Sequence, residues 1–395
     1  MGFFEPIELQ IFDHFLRSRP PEPLDNRIAI IEAAAADLAA QRARSETGVG
    51  SIADRTLDEV IAKLDQFGAK IIVLDLYRDF ASTAEPLSQR FRQTRQLFAI
   101  CELPNQDNSA GIKPPASEAI PPEQIGFSNF VIDSDGVLRR HLLEMPPSPA
   151  HPCQSQQSLS LLVALRYLEL ERGKRFDYEK LWNTQGDLQI ENTLIRRINS
   201  YNYGGYQDLD AAGVQLLLNY RQPDRSLRDV VPHFNLEQVR KGEIAPNEFK
   251  NKIVLIGVTD PSEAVDYVKT PYGEKIAGVT VHAHLISQIL SAILNERSLL
   301  WVLPQWGEGV LVVGCSLVGS LLLIWGCNHF KRRSQIYLFG SGGILLGIVV
   351  IYVIGLFSIR NGLWIPVWSP ISSFLASSSV FLLIPYRSNP CYRRL

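Results

Sequence analysis

The chain has 395 residues, with 39 Lys and Arg against 41 Asp and Glu and a formal net charge of −2. That balance supplies no basic field, which excludes roles resting on electrostatic attraction to nucleic acid. With the strongly apolar C-terminal part set aside, roughly 300 residues remain, enough for one large or two ordinary domains with real cores.

In chain order, the segment IELQIFDHFLR places Ile7, Ile11 and Phe15 at helical spacing, with Leu9, Phe12 and Leu16 widening the apolar face. It predicts a short helix suited to run directly off a membrane anchor. No positively charged stretch followed by an apolar core precedes it, so we expect an anchor upstream of Met1 or an inefficiently exported copy. After the proline-rich RSRPPEPLDNR, Ile28 to Ile31 is a compact apolar run fit for a buried strand. Ala33 to Leu38 and SIADRTLDEVIAKLDQFGAK read as a helical connection, and Ile71 to Leu76 as a second buried strand. Strand, helix and strand over residues 28 to 76 predict a parallel pair with a right-handed crossover.

Residues 101 to 122 are loop-like, rich in Pro, Gly and polar side chains. GFSNFV (126–131) and VLRRHLL (137–143) predict two strands of a hairpin turning at Asp133, Asp135 and Gly136. That DSDG turn lacks the 12-residue pattern of a calcium loop. Ser158 to Glu171 predicts an amphipathic helix with Leu159, Leu162, Leu165 and Leu168 on one side. Val214 to Tyr220 reads as a strand, Ile253 to Val258 as the strongest strand of the chain, and Gly278 to Val281 as a short one. His284 to Leu294 follows as a helix with Leu285 and Ile289 inward. Strands alternating with helices predict an α/β domain, a mixed sheet with flanking helices.

Three runs, Gly309 to Cys327, Ile336 to Ile359 and Gly362 to Tyr386, contain no charged side chain. Each matches or exceeds the roughly 18 to 20 residues that span a bilayer's hydrocarbon core. We therefore expect three transmembrane helices at about 309–327, 336–359 and 362–386, the lipid bilayer being the chain's first partner. Lys331, Arg332 and Arg333 lie between the first two runs and Arg387, Arg393 and Arg394 after the third, whereas the remaining link holds only Arg360. The positive-inside rule then puts the first link and the tail 388–395 in the cytoplasm and residues 1–300 outside, as the main domain of a multi-pass inner-membrane protein. Trp301, Trp306, Trp364, Trp368 and Tyr386 fall near the run ends, as interfacial aromatics do. Of five cysteines, Cys315 and Cys327 lie in the first run and Cys391 in the tail. Cys101 and Cys153 are left as the exported pair, either bridged in an oxidising compartment or buried separately as thiols.

Candidate binding residues sit where predicted strands end. Asp75, Arg78 and Asp79 follow the second strand, Asn219 and Arg221 end the strand at 214–220, and Asp266, Thr270 and Tyr272 lie in the loop after IVLIGV. In open α/β sheets the carboxyl ends of strands converge on a ligand crevice. The two arginines are planar donors suited to a carboxylate or phosphate, unless they serve as ion pairs that organise loops. His282 and His284 form an HxH pair that suits metal only if both imidazoles share one face; at a strand-to-helix junction we expect packing and capping, with no metal and no cofactor. No nucleophile elbow, P-loop, dinucleotide fingerprint or HExxH motif supports an enzyme.

Several strings carry a family resemblance: IFDHFLRSRPPEP, IIVLDLYRDF, IGFSNFVIDSDGVLRRHLL, GGYQDLDAAGVQLLLNYR and FKNKIVLIGVTDPSEAVDYVKTPYGEKIAGVTVHAHLISQIL, followed by the apolar tail. Together they resemble the type-2 CHASE domain, in style closest to cyanobacterial members. The resemblance implies an extracytoplasmic sensory module that follows an N-terminal anchor and precedes a cyclase or kinase inside the cell. Here Ala33 to Ala36 stand where the family usually shows an acidic pair. With no effector after Leu395, we expect signalling through a homodimer or a separate kinase or cyclase chain, in response to an unknown external ligand. The alternative is a non-sensing structural or assembly protein, or a truncated remnant of a receptor.

Overall fold

The computed structural model describes residues 4–46, 50–80, 85–105, 108–115, 120–199, 203–207, 209–262, 267–330 and 332–383. The chain divides into two compact units, one of Met1–Arg19, Ile198–Ala211 and Leu300–Leu395, the other of Pro20–Arg197 and Ala212–Leu299. The expected division at residue 300 therefore has two additions, since the first helix, α1 (Glu5–Arg17), and the segment 198–211 group with the apolar C-terminal part.

The larger unit runs β1 (Ile28–Ala33), α2 (Ala35–Ala43), α3 (Asp54–Gln66), β2 (Ile71–Asp75), α4 (Glu85–Gln93), β3 (Leu97–Cys101), β4 (Ile125–Phe127), β5 (Val131–Ile132) and β6 (Leu138–Glu144). It continues with α5 (Leu159–Arg172), β7 (Leu188–Ile190), β8 (Thr193–Ile195), β9 (Val214–Leu217), β10 (His233–Asn235), α6 (Leu236–Lys241), β11 (Ile253–Val258), β12 (Tyr267–Lys269), β13 (Lys275–Ala277) and α7 (Gly278–Leu294).

Six strands form one parallel sheet in the order β10-β1-β11-β2-β3-β4. Side chains alternate across a strand. Ile28, Ile30, Ile71, Val73, Phe98, Ile100, Ile253 and Leu255 face a core beneath α5 and α7. Ala29, Ile31, Ile72, Leu74, Leu97, Ala99, Val254 and Ile256 face a second core beneath α2, α3, α4 and α6. Burial on both faces is why these strands read as unbroken apolar runs.

Three local expectations are corrected. β1 and β2 are parallel but not neighbours, because β11 inserts between them and pairs with both. GFSNFV is not one strand: Ile125–Phe127 joins the parallel sheet, and Asn129 then turns the chain by bonding Leu103 N–H and C=O with its own side chain, both at 2.8 Å. Val131–Ile132 pairs antiparallel with β6, which pairs in turn with β9 in a separate sheet. Gly278 to Val281 is the first turn of α7 rather than a strand. Its β-branched residues imitate strand alternation, but every residue from Val279 to Ile293 is buried, because α7 lies between two layers. Ile286, Ile289 and Leu290 pack into the core shared with the parallel sheet, while Val281 and Leu285 meet Leu138, Leu218, Val268 and Ile276 on the other side. Each such fully buried aliphatic chain contributes about 1.5–3 kcal/mol. Cys101, closing β3, is bonded to Cys153, with the Cα atoms 5.5 Å apart.

The smaller unit holds α1, β14 (Trp301–Val302), α8 (Gln305–His329), α9 (Arg333–Arg360), β15 (Leu363–Trp364) and α10 (Trp368–Leu383). β14 and β15 pair in parallel, so α8 and α10 set off from the same side. The buried Trp364 ring lies tilted against Phe12 at 4.5 Å and meets the Tyr206 ring edge-on at 5.7 Å. Glu8 of α1 accepts from the backbone N–H groups of Val367 and Ser369, both at 3.0 Å, and so caps the start of α10. α8 and α9 are long and apolar enough to cross a membrane. Soluble core helices bury their apolar surface, whereas Leu321, Trp325, Leu345, Leu346 and Phe357 are exposed on these two. α10 is described for 16 residues, and the rest of the third apolar run, with Tyr386 and the basic tail, lies outside the described residues, as does Lys331.

Candidate ligand-binding crevice

At the carboxyl ends of β2, β3, β4 and β11 the larger unit contains a crevice of about 160 Å³. This is the edge at which open α/β sheets take ligands. One wall is set by Gly257, the register partner of Asp75 in the β11–β2 pair. A Cβ at Gly257 would stand 2.6 Å from the Val279 Cβ, so the missing side chain lets the first turn of α7 lie flush on the strand ends. Gly278 and Val279 therefore line the crevice. The preceding Ala277 has no side chain able to accept from the first-turn N–H groups. A helix start of this kind presents partial positive charge.

Asp75 and His282 meet across the crevice, with Asp75 Oδ1 3.7 Å from His282 Nε2. His282 is 2% exposed, and burial pushes its imidazole down to about 3, so it is neutral at ordinary pH. Its Nδ1 is buried without a hydrogen-bond partner among the described residues. The Phe130 ring lies 5.0 Å from it. On a third side Ser128 Oγ donates to Cys101 O at 3.2 Å, which leaves its oxygen to accept from Tyr77 Oη at 2.9 Å. Arg78 is buried and ion-paired with Asp54 at the start of α3, its guanidinium 4.8 Å from the Phe80 ring centre. The lining thus holds a carboxylate, a neutral imidazole, a guanidinium and a helix N-terminus, with Ile52, Ile100, Val258 and Phe130 as apolar walls. It is equipped to bind and orient a small polar molecule.

Of the residues expected to share one crevice, Asp75 and Arg78 line it. Asp79 is exposed beside them but is not part of the lining. Asn219 and Arg221 are elsewhere, because β9 belongs to the antiparallel sheet and its end does not open on the parallel sheet's edge. Asn219 donates from its side chain to Ser298 O at 2.7 Å and from its backbone to Gln288 Oε1 at 3.0 Å. Arg221 donates to Pro23 O, Ser287 Oγ and Ser291 Oγ at 2.9, 3.2 and 2.7 Å, and lies 3.9 Å from Asp25. Burial pushes the Asp25 carboxyl up, but hydrogen bonds from Arg27 and Ser287 and the charges of Arg27 and Arg221 outweigh this and hold it below its ordinary value. Thr270 Oγ1 donates to Glu274 O at 3.0 Å in the turn joining β12 and β13, and the Tyr272 ring lies 6.0 Å from that of Tyr220. Asp266 lies outside the described residues.

The HxH pair divides because residues two apart on a helix point about 200° from each other. His282 faces the crevice, while His284 Nε2 bonds Leu227 O at 2.9 Å beside the Tyr220 ring. Sequence reasoning missed His282, Ser51, Tyr77 and Ser128 as lining residues, and the usable signal was that a 17-residue apolar helix starts at Gly278.

A family model for the CHASE2 domain matches residues 1–321. The chain belongs to the CHASE2 domain family. No match was found among curated proteins or among solved structures. The CHASE2 match runs from the start of the chain through the larger unit and into α8, so both compact units contribute to it. CHASE2 domains are extracytoplasmic sensory modules of membrane receptors, not catalytic domains.

Proposed function

We propose that this CHASE2 chain is a receptor's signal-input module that takes a small molecule in the crevice at Asp75 and His282. In this reading α8, α9 and the helix begun by α10 cross the inner membrane three times, with residues 1–300 outside. The observation that carries it is that His282, one turn into α7, lines the crevice opposite Asp75 and keeps an Nδ1 that is buried without a partner among the described residues. Leaving a buried polar atom without a partner costs about 1–3 kcal/mol, a cost that a ligand donor or acceptor removes. From the crevice, α7 runs to Leu294 and six residues lead from it to Trp301 ahead of α8. Within that link Arg297 donates to Glu22 at 2.6 and 2.7 Å and to the carbonyls of Asn219 and Tyr220, both at 3.0 Å. A shift of α7 on binding is thus tied through Arg297 to the segment entering the domain and through the chain to α8. The output passes to a kinase or cyclase, in a homodimer or on a separate chain.

The test is a thermal-shift screen of small polar metabolites on the full chain in nanodiscs, repeated on Ser51→Trp. Ser51 lines the crevice and is exposed, so a large ring there blocks the site without disturbing the core. We expect a stabilising compound whose effect disappears in Ser51→Trp. A shift that persists in that variant puts the ligand elsewhere and refutes the proposal.

A further inference from the structure

We infer that the crevice takes a small zwitterion of the α-amino-acid class, its carboxylate at the first turn of α7 and its ammonium at Asp75. This rests on the crevice being the ligand site.

The first-turn N–H groups of α7 at Gly278 and Val279 meet no capping side chain, and a carboxylate placed there satisfies them and complements the helix dipole. Opposite stands the carboxylate of Asp75. A carboxylate offers roughly four lone-pair sites, so Asp75 accepts from a ligand in addition to its partners within the fold. His282 turns Nε2 toward Asp75 at 3.7 Å, which favours the tautomer with its hydrogen on Nε2. Its Nδ1 then carries the lone pair on the ring edge away from Asp75, buried and without a partner among the described residues. An ammonium carries three N–H donors and no acceptor, the complement of a carboxylate.

Ligands of single charge fit worse. An anion alone sets its charge near Asp75, and a cation alone faces the positive end of α7 and the Arg78 guanidinium that also lines the cavity. A molecule carrying both charges two bonds apart meets opposite charge at each end. The register brings Asp75 close to the start of α7, because Asp75 lies opposite Gly257 and Gly257 packs on Val279. The volume of about 160 Å³ equals the share of roughly five waters, enough for a head group and a short side chain against Ile100, Val258 and Phe130.

The experiment uses the full chain in nanodiscs, with calorimetry and thermal shift for glycine, L-alanine and L-serine against propionate, ethylamine and glycerol. At least one amino acid binds, with propionate and ethylamine at least tenfold weaker, and Ser51→Trp abolishes the binding. Asp75→Asn weakens the amino acid at least tenfold while changing propionate little. Because the comparison of analogues is made on the unaltered protein, the result stands if Asp75→Asn fails to fold. Propionate or ethylamine binding as tightly as L-alanine overturns the zwitterion, and if Ser51→Trp still removes it the crevice survives as the site. No response to any amino acid, with Ser51→Trp blocking some other metabolite, overturns the class alone. Amino-acid binding unaffected by Ser51→Trp overturns both.

Discussion

Replacing Arg221 by Gln separates a structural from a ligand-contacting role for this arginine. Arg221 is 9% exposed and gives three hydrogen bonds, to Pro23 O, Ser287 Oγ and Ser291 Oγ. Hydrogen bonds from a charged donor contribute about 1.5–3 kcal/mol each before competition, and they do not add. The variant does not strand its carboxylate, because Arg27 holds Asp25 at 2.6 and 2.8 Å and Ser287 donates to it at 2.7 Å. Ser291 also keeps its bond from Arg27 at 2.7 Å. The loss therefore falls at the lower end of the roughly 3–5 kcal/mol of a broken buried pair, and we expect about 3 kcal/mol. For a unit of this size that lowers the melting temperature by roughly 6–12 °C. The assay is thermal unfolding of the full chain in nanodiscs, followed by ligand titration below the transition. Crevice binding in Arg221→Gln should match the parent within about threefold, a difference of under 1 kcal/mol. A melting temperature within about 2 °C of the parent, combined with abolished binding, would refute the reasoning.

The Cys101–Cys153 bridge closes a loop of sequence separation 52, so Cys101→Ala/Cys153→Ala should lose about 4 kcal/mol by chain entropy, checked by melting of oxidised protein. Free thiols at both positions in unreduced, exported protein would contradict it. His141, His282 and His284 are each pushed by burial down to about 3, whereas the unfolded chain takes up their protons near pH 6.5. Their contribution is therefore complete above that pH and drains away as pH falls toward 3, so moving from pH 7.5 to 5.5 should cost about 4 kcal/mol in denaturant unfolding. A flat profile over that range would show that the three imidazoles are accessible to protons in the folded state. Reporters fused after Arg333 should read cytoplasmic and those fused at Asn361 external, and an external signal after Arg333 would overturn the membrane layout.

Much of this architecture is local information. IAII, IIVLDL and IVLIGV announce strands buried on both faces because both parities are apolar, and Ser158 caps α5 through Leu161 N–H at 3.3 Å where the helical pattern begins. The hairpin at Asp133–Gly136 was legible from turn chemistry, with Gly136 at φ 78°. The crevice was only partly legible. Asp75 and Arg78 follow a recognisable strand, but Arg78 is matched to Asp54, 24 residues earlier, and no local pattern names that partner.

What the sequence by itself determined is whatever rests on period and run length: the α/β character, the apolar helices at the end of the chain, and the family strings. Tertiary structure decided which strand neighbours which and which strand ends share an edge. The insertion of β11 between β1 and β2 depends on pairing Ile253 with both Ile71 and Ile28, far apart in the chain, and Asn219 and Arg221 left the crevice because β9 pairs with β6 instead of joining the parallel sheet. The same holds for α7. Its Val-Thr-Val start has the local signature of a strand, but packing between two layers rewards a helix apolar on every side, and that packing places His282 at the crevice. Periodicity is written in neighbouring residues, whereas partnership between distant segments is settled by the packing free energy of the whole fold.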